Sequence, residues 1–192
     1  RIAHTKRDIP HPTMEQAAHA FQAMPEATDF DKRDKALFAF FMLTGARDGA
    51  VASLKLKHIN VELGHVYQDA REVKTKNSKT IECQFFPVDQ VYHDVFKAWV
   101  SYLIEDKLFG LDDALFPKAK IGVVKGQGFT NLGLSQDCYA NSGPLNKIIR
   151  DTFANVQMRQ FTPHSFRKTL TKYGDQVCDS MLDWKAWSMN LG

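Results

Sequence analysis

The sequence predicts an α+β domain, mainly α, with a small antiparallel sheet. Three observations carry this. Residues 32–43, KRDKALFAFFML, are apolar on most faces after Ala36, which marks a helix buried on several sides. Residues 64–70 and 80–87 are β-prone with some alternation, and they flank a lysine-rich turn, as a hairpin would. Most of the other stretches carry helix-start signals or helical spacing.

At 192 residues the chain is long enough for one domain with a real core, or a domain plus an arm. A composition of 44% hydrophobic and 24% charged residues is that of an ordinary globular protein. No apolar run approaches membrane-spanning length. Cys83, Cys138 and Cys178 are far apart and lack CxxC spacing. They read as reduced thiols of a cytoplasmic protein, and as neither a disulfide framework nor a zinc site. The net charge of +3 permits nucleic-acid binding without demanding it. Its distribution says more. Arg71, Lys74, Lys76 and Lys79 stand against Glu72 alone, and Lys147, Arg150, Arg159, Arg167, Lys168 and Lys172 against Asp151 alone.

In order, residues 1–12 are polar, with Pro10 and Pro12, and read as a linker. Thr13 and Gln16 form a capping-box pattern that opens a helix running to about Met24. A loop is expected over 25–31, then the central helix, which stops at Thr44-Gly45. Arg47 follows at a tight corner before a short helix over 50–56. A short strand or turn at 58–61 and the hairpin come next, with Asn77-Ser78 as its turn. Residues 88–106 form an amphipathic helix with Val91, Val95, Trp99, Leu103 and Ile104 near helical spacing. Residues 108–143 read as loops anchored at Leu115-Phe116-Pro117. A helix begins at Gly143-Pro144 and runs to Val156. Another spans 162–174, with Thr162 as N-cap, Pro163 in the first turn and Gly174 as its stop. The last, over 179–189, is apolar and aromatic.

His164 and Arg167 are three residues apart at a helix N-terminus, where free N–H groups already favour an anion. An imidazole and a guanidinium fork on one face there suit a phosphate, although a surface His beside a solvated Arg would look the same. The order of several weak motifs decides. They are Leu43-Thr44-Gly45-Ala46-Arg47 with Leu54 and Leu56 after it; Thr75-Lys76 in the hairpin, then Phe86-Pro87; Leu115-Phe116-Pro117; and Thr162-Pro163-His164-Ser165-Phe166-Arg167. Together they resemble the catalytic domain of the tyrosine recombinases, the phage integrase family, from Thr13 onward.

The resemblance implies a DNA-cutting and rejoining enzyme that acts in integration or excision of a mobile element in a bacterial cytoplasm, with no cofactor and no metal. In that family a tyrosine attacks a DNA phosphodiester to give a 3′-phosphotyrosyl link. Arginines hold the charge that gathers on the phosphate oxygens. Arg47 and Arg167 would form this clamp, Lys76 would protonate the leaving 5′-oxygen, and His164 would assist proton transfer or hold the phosphate. Thr75-Lys76 fits the family's Thr-Lys pattern better than Lys79 does. Two departures stand out. The acid often found three residues after the first arginine is replaced by Ala50, leaving either Asp48 or nothing as a partner for Arg47. The chain stops at Leu191-Gly192, before the expected second His or Trp and the tyrosine, so 13–192 reads as a catalytic domain truncated before its nucleophile and 1–12 as the linker from an upstream DNA-binding domain. Tyr67, Tyr92, Tyr102, Tyr139 and Tyr173 do not fit the nucleophile. The implied partners are a double-stranded DNA recombination site and, in the full-length protein, a homotetramer; the fragment alone is expected to be a monomer, and no membrane is involved. Type IB topoisomerases share the implied fold and chemistry. A non-catalytic DNA-binding module derived from this fold is the alternative from another class.

Overall fold

The computed structural model describes residues 10–124 and 128–191. Residues 1–9 of the expected linker lie outside that range. The molecule is assembled around the helix α2 (Asp29–Thr44), in which Ala36 to Thr44 are all buried. Three phenylalanines of α2 reach in different directions. Phe38 meets Phe21 of α1 (Met14–Gln22), Phe153 of α5 (Gly143–Asn155) and Phe166 of α6 (Pro163–Val177), with ring centroids 5.7, 5.7 and 4.9 Å away. Phe40 meets Phe96 of α4 (Gln90–Ser101) at 5.0 Å and Phe116 at 5.4 Å. Phe41 stacks on Phe166. Burying each such ring contributes about 1.5–3 kcal/mol, so this helix sets the arrangement of its neighbours.

Both N-terminal helices start with reciprocal caps. Thr13 and Gln16 exchange side-chain to backbone bonds of 3.2 and 3.0 Å. Thr28 and Asp31 do the same at 3.1 and 2.9 Å, so α2 starts at Asp29, inside the stretch expected to be loop. Gly45 ends α2 in the left-handed region, at φ 56°.

The corner then turns into α3 (Asp48–Val51), shorter than the helix expected over 50–56. The backbone beyond it is recruited elsewhere. The Leu54 carbonyl accepts from Leu115 N–H at 3.0 Å, and Leu56 N–H donates to the Asp113 carbonyl at 3.0 Å. A 3₁₀ turn, Leu56–His58, leads into the sheet. The sheet is antiparallel in the order β1 (Ile59–Asn60), β2 (His65–Gln68), β3 (Ile81–Gln84), with Val66 opposite both Ile59 and Cys83. Val66 and Gln68 face inward; Tyr67 faces out. The β2–β3 connection is the predicted basic hairpin, and Asn77 and Ser78 take positive φ at its turn.

Three further expectations are corrected. The buried line of α4 is Tyr92, Phe96 and Trp99, continued by Leu103 in the turn that follows, whereas Val91 and Ile104 are exposed. Ile104 sits in a π turn, Tyr102–Asp106, that widens the helix and moves it off the seam. Residues 108–143 contain a hairpin, β4 (Ala119–Val124) and β5 (Gly128–Leu134), where only loops were expected. Finally, α6 runs through Gly174 to Val177, because that glycine serves packing: a Cβ there would lie 2.7–2.9 Å from the Trp187 indole of α7 (Met181–Leu191). Thr162 has the extended backbone of an N-cap, but its hydroxyl makes no capping bond. Ser165 closes the turn instead, with its N–H and hydroxyl both donating to the Thr162 carbonyl.

Candidate active site

The C-terminal end of α2, the inner face of the sheet, α6 and the end of α7 enclose a small cleft. It is lined by Thr44, Ala46, Arg47, Gln68, Ile81, Cys83, Arg167, Asn190 and Leu191. The sequence-predicted Arg47 and Arg167 therefore come together, from positions 120 residues apart in the chain. Arg47 is delivered by the left-handed Gly45 and stands in extended backbone just before α3. A Cβ on Gly45 would meet Leu191 Cδ2 at 2.8 Å and Leu170 Cδ1 at 3.0 Å, so the corner requires glycine for space as well as for φ.

Arg167 is half-buried on α6. Its Nη1 donates to the Gly45 carbonyl and its Nη2 to the Leu191 carbonyl, each at 2.6 Å. Burial, and then the charge of Arg47, push the Arg167 guanidinium below its ordinary value. It remains a cation at any working pH. Two guanidinium charges facing one half-buried cleft repel each other, and an anion that reaches both relieves that repulsion.

His164 is exposed in the first turn of α6, one helical turn before Arg167, and does not line the cleft. The hairpin passes beside α3. Lys74 N–H donates to Ser53 Oγ at 2.9 Å, and the Lys74 carbonyl lies 3.9 Å from where a Cβ on Gly49 would sit. Lys76, two residues on, opens a 3₁₀ turn, Lys76–Ser78; its side chain lies outside the described part of the structure. The backbone thus brings Thr75-Lys76 to the α3 corner that carries Arg47. Asp48 accepts from Asn146 Nδ2 at 2.6 Å, which braces α3 against α5, and Ala50 is buried.

All five tyrosines are described and none lines the cleft. Tyr67 faces out from β2, and Tyr92 is buried against Phe21. Tyr102 donates to Asp29 at 2.6 Å, Tyr139 lies under Arg33, and Tyr173 packs on Trp187. Among the described residues no group of three or more His, Cys, Asp or Glu is placed to hold a metal ion. Likewise, no described helix is long and apolar enough to cross a membrane.

Sequence reasoning missed Gln68, Cys83 and Asn190 as cleft residues. Alternation in His65-Val66-Tyr67-Gln68 was the available signal for Gln68, since it puts that side chain on the same face as the buried Val66. Nothing local pointed to Asn190.

The helical domain with its small antiparallel sheets has the fold of solved recombinases and integrases. XerA recombinase superposes with a TM-score of 0.61 at 15% identity, covering 98% of this chain and 61% of that one. XerH site-specific recombinase, bound to a palindromic difH substrate in a post-cleavage complex, gives 0.57 at 18% identity, covering 93% of this chain and 46% of that one. The Tn1549 transposon integrase in complex with transposon right-end DNA gives 0.51 at 13%, covering 97% of this chain and 61% of that one. At these identities the likeness is one of fold, and this chain spans less than two thirds of each. No curated protein matches by sequence. The model of the phage integrase family matches residues 12–186, and the chain belongs to that family.

Proposed function

We propose that this chain is the catalytic core of a tyrosine-type site-specific recombinase, cutting and rejoining duplex DNA in integration or excision of a mobile element. The observation that carries the reading is the convergence of Arg47 and Arg167 on one cleft. Their planar forks suit two non-bridging oxygens of one phosphodiester. In the cutting step a tyrosine hydroxyl oxygen bonds to phosphorus, the bond from phosphorus to the 5′-oxygen breaks, and a 3′-phosphotyrosyl link forms. His164 assists proton transfer to or from the tyrosine hydroxyl or holds the phosphate, and Lys76 gives a proton to the departing 5′-oxygen. Rejoining reverses these transfers with the 5′-hydroxyl of a second strand as nucleophile. The two arginines hold the charge of the pentacoordinate state throughout.

None of the five tyrosines lines the cleft, so on this reading the nucleophile is supplied from beyond these 192 residues. The test uses the full-length protein and a suicide substrate nicked beside the cleavage position, whose short 5′-ended strand diffuses away. A covalent protein–DNA adduct that survives denaturant is the expected result. Specific binding to the same site without any adduct would instead establish a non-catalytic DNA-binding module.

A further inference from the structure

Among the described residues, the side chain of Asn190 hydrogen-bonds the end of α7 to the sheet. Asn190 Oδ1 accepts from Gln84 N–H and Asn190 Nδ2 donates to the Gln84 carbonyl, each at 2.7 Å. The amide thus copies the pairing a fourth strand would make at the open edge of β3. The next residue, Leu191, does two things at the cleft. Its carbonyl accepts from Arg167 Nη2 at 2.6 Å, and its side chain packs over Gly45, whose own carbonyl holds Arg167 Nη1. A chain of direct contacts therefore runs from the β3 edge through Asn190 and Leu191 to the guanidinium.

We infer that Asn190 is a positioning residue for Arg167, latching α7 to β3 so that the Leu191 carbonyl fixes the plane of the guanidinium. This rests on the phosphate-clamp reading of Arg167. A bidentate contact to a phosphate needs the plane of the fork set in advance, and one carbonyl on each terminal nitrogen sets it. The rest of α7 does not depend on the latch. Two tryptophans anchor it to α6: Trp187 Nε1 donates to the Leu170 carbonyl at 3.0 Å with its ring against Phe86 at 4.5 Å, and Trp184 Nε1 donates to Asp175 at 2.8 Å. Removing the amide should free the last turn and leave the helix docked.

The test has two arms. In the 192-residue chain, arginine side-chain NMR of Asn190→Ala should show the Arg167 Nη2 signal, distinct in the wild type, averaging through faster rotation, while the signals of Trp187 keep their dispersion. An unchanged Arg167 signal would overturn the inference. In the full-length protein, Asn190→Ala should slow cleavage about tenfold, as for one bond to a charged group, with DNA affinity unchanged. Added to Arg167→Ala it should slow cleavage no further. Multiplying effects would show that Asn190 acts by some other route. If Arg167→Ala itself leaves cleavage intact, the clamp reading fails, and the NMR arm still decides whether Asn190 positions the guanidinium.

Discussion

Arg167 combines two demands that usually conflict. It is half-buried and close to a second cation, and burial and Arg47 both weigh against its charge. It is nonetheless held in place by two carbonyls, so the cost of ordering its long side chain is met before any ligand arrives. A preorganised cation in a half-buried cleft stabilises developing negative charge far better than a mobile one in water. Arg167→Ala or Arg47→Ala in the full-length protein should therefore lower cleavage on the order of a hundredfold or more, as for the loss of one oxyanion donor. Both variants should still bind DNA, because phosphate contacts elsewhere supply most of the affinity. Quenched-flow cleavage beside a gel-shift titration separates the two effects, and full cleavage by Arg167→Ala would contradict the clamp. Arg167→Lys should recover little, since an ammonium cannot bridge the Gly45 and Leu191 carbonyls and also present a planar fork.

Elements were legible wherever one residue type had a single local job. Thr13 and Gln16 announced α1, Gly45 announced the end of α2, and Asn77-Ser78 marked the hairpin turn, because caps and positive-φ turns are decided within a few residues. Elements decided by distant partners were not legible. The early end of α3 depends on backbone bonds to residues 113 and 115, some 60 positions on. The hairpin β4–β5 escaped because most of it stands off the core: Leu134 at the end of β5 packs there, but Ile121, Val123, Phe129 and Leu132 are all exposed, so no alternation of apolar and polar residues was required. The convergence of Arg47 and Arg167 followed from motif order, while the part of Asn190 in the cleft depends on α7 docking at β3. Gly174 shows how a local rule can mislead. Read as a helix stop, it lies inside α6 with the Trp187 indole against its Cα. Gly174→Ala would gain about 1 kcal/mol of helix propensity. The added methyl would sit 2.7 Å from Trp187 Nε1, and a clash of that kind costs about 1–3 kcal/mol. The clash should win, because the indole is also hydrogen-bonded to Leu170 and cannot simply retreat. Urea denaturation should place the variant's midpoint below the wild type; a higher midpoint would show that α7 is not held against α6 in this way.

At the scale of the whole molecule, the net charge of +3 understates the basic surface, but several cations are already paired internally. Arg71 is bound to Asp69 at 2.6 Å and Lys147 to Asp151. Other cations, Lys79 and Lys168 among them, are in no such pair among the described residues and can release counterions. With about four phosphates neutralised, DNA affinity should fall on the order of a hundredfold between about 50 and 200 mM salt in fluorescence-anisotropy titrations. A flat profile would remove the electrostatic footing of DNA binding. Stability has its own pH signature, set where the sheet closes on the cleft. Cys83 points inward from β3, and burial pushes its thiol from an ordinary value near 9.0 up to about 11. Below pH 9 both the folded and unfolded chains keep the proton, and the contribution is fully present. Between about 9 and 11 the unfolded chain loses its proton while the folded chain retains it, so the unfolded state is favoured progressively and the contribution is lost as pH rises. Tyr92, buried against Phe21, is pushed the same way and steepens the alkaline loss in any variant that keeps it. Cys83→Ala separates the two. It should be less stable than the wild type at neutral pH, since it opens a small void beside Val66 and Gln68. Its stability should then fall less steeply across the window above pH 9. Urea midpoints of both proteins at matched pH should converge as pH rises, and midpoints that stay parallel would show that the thiol is not sealed from water by the closed sheet.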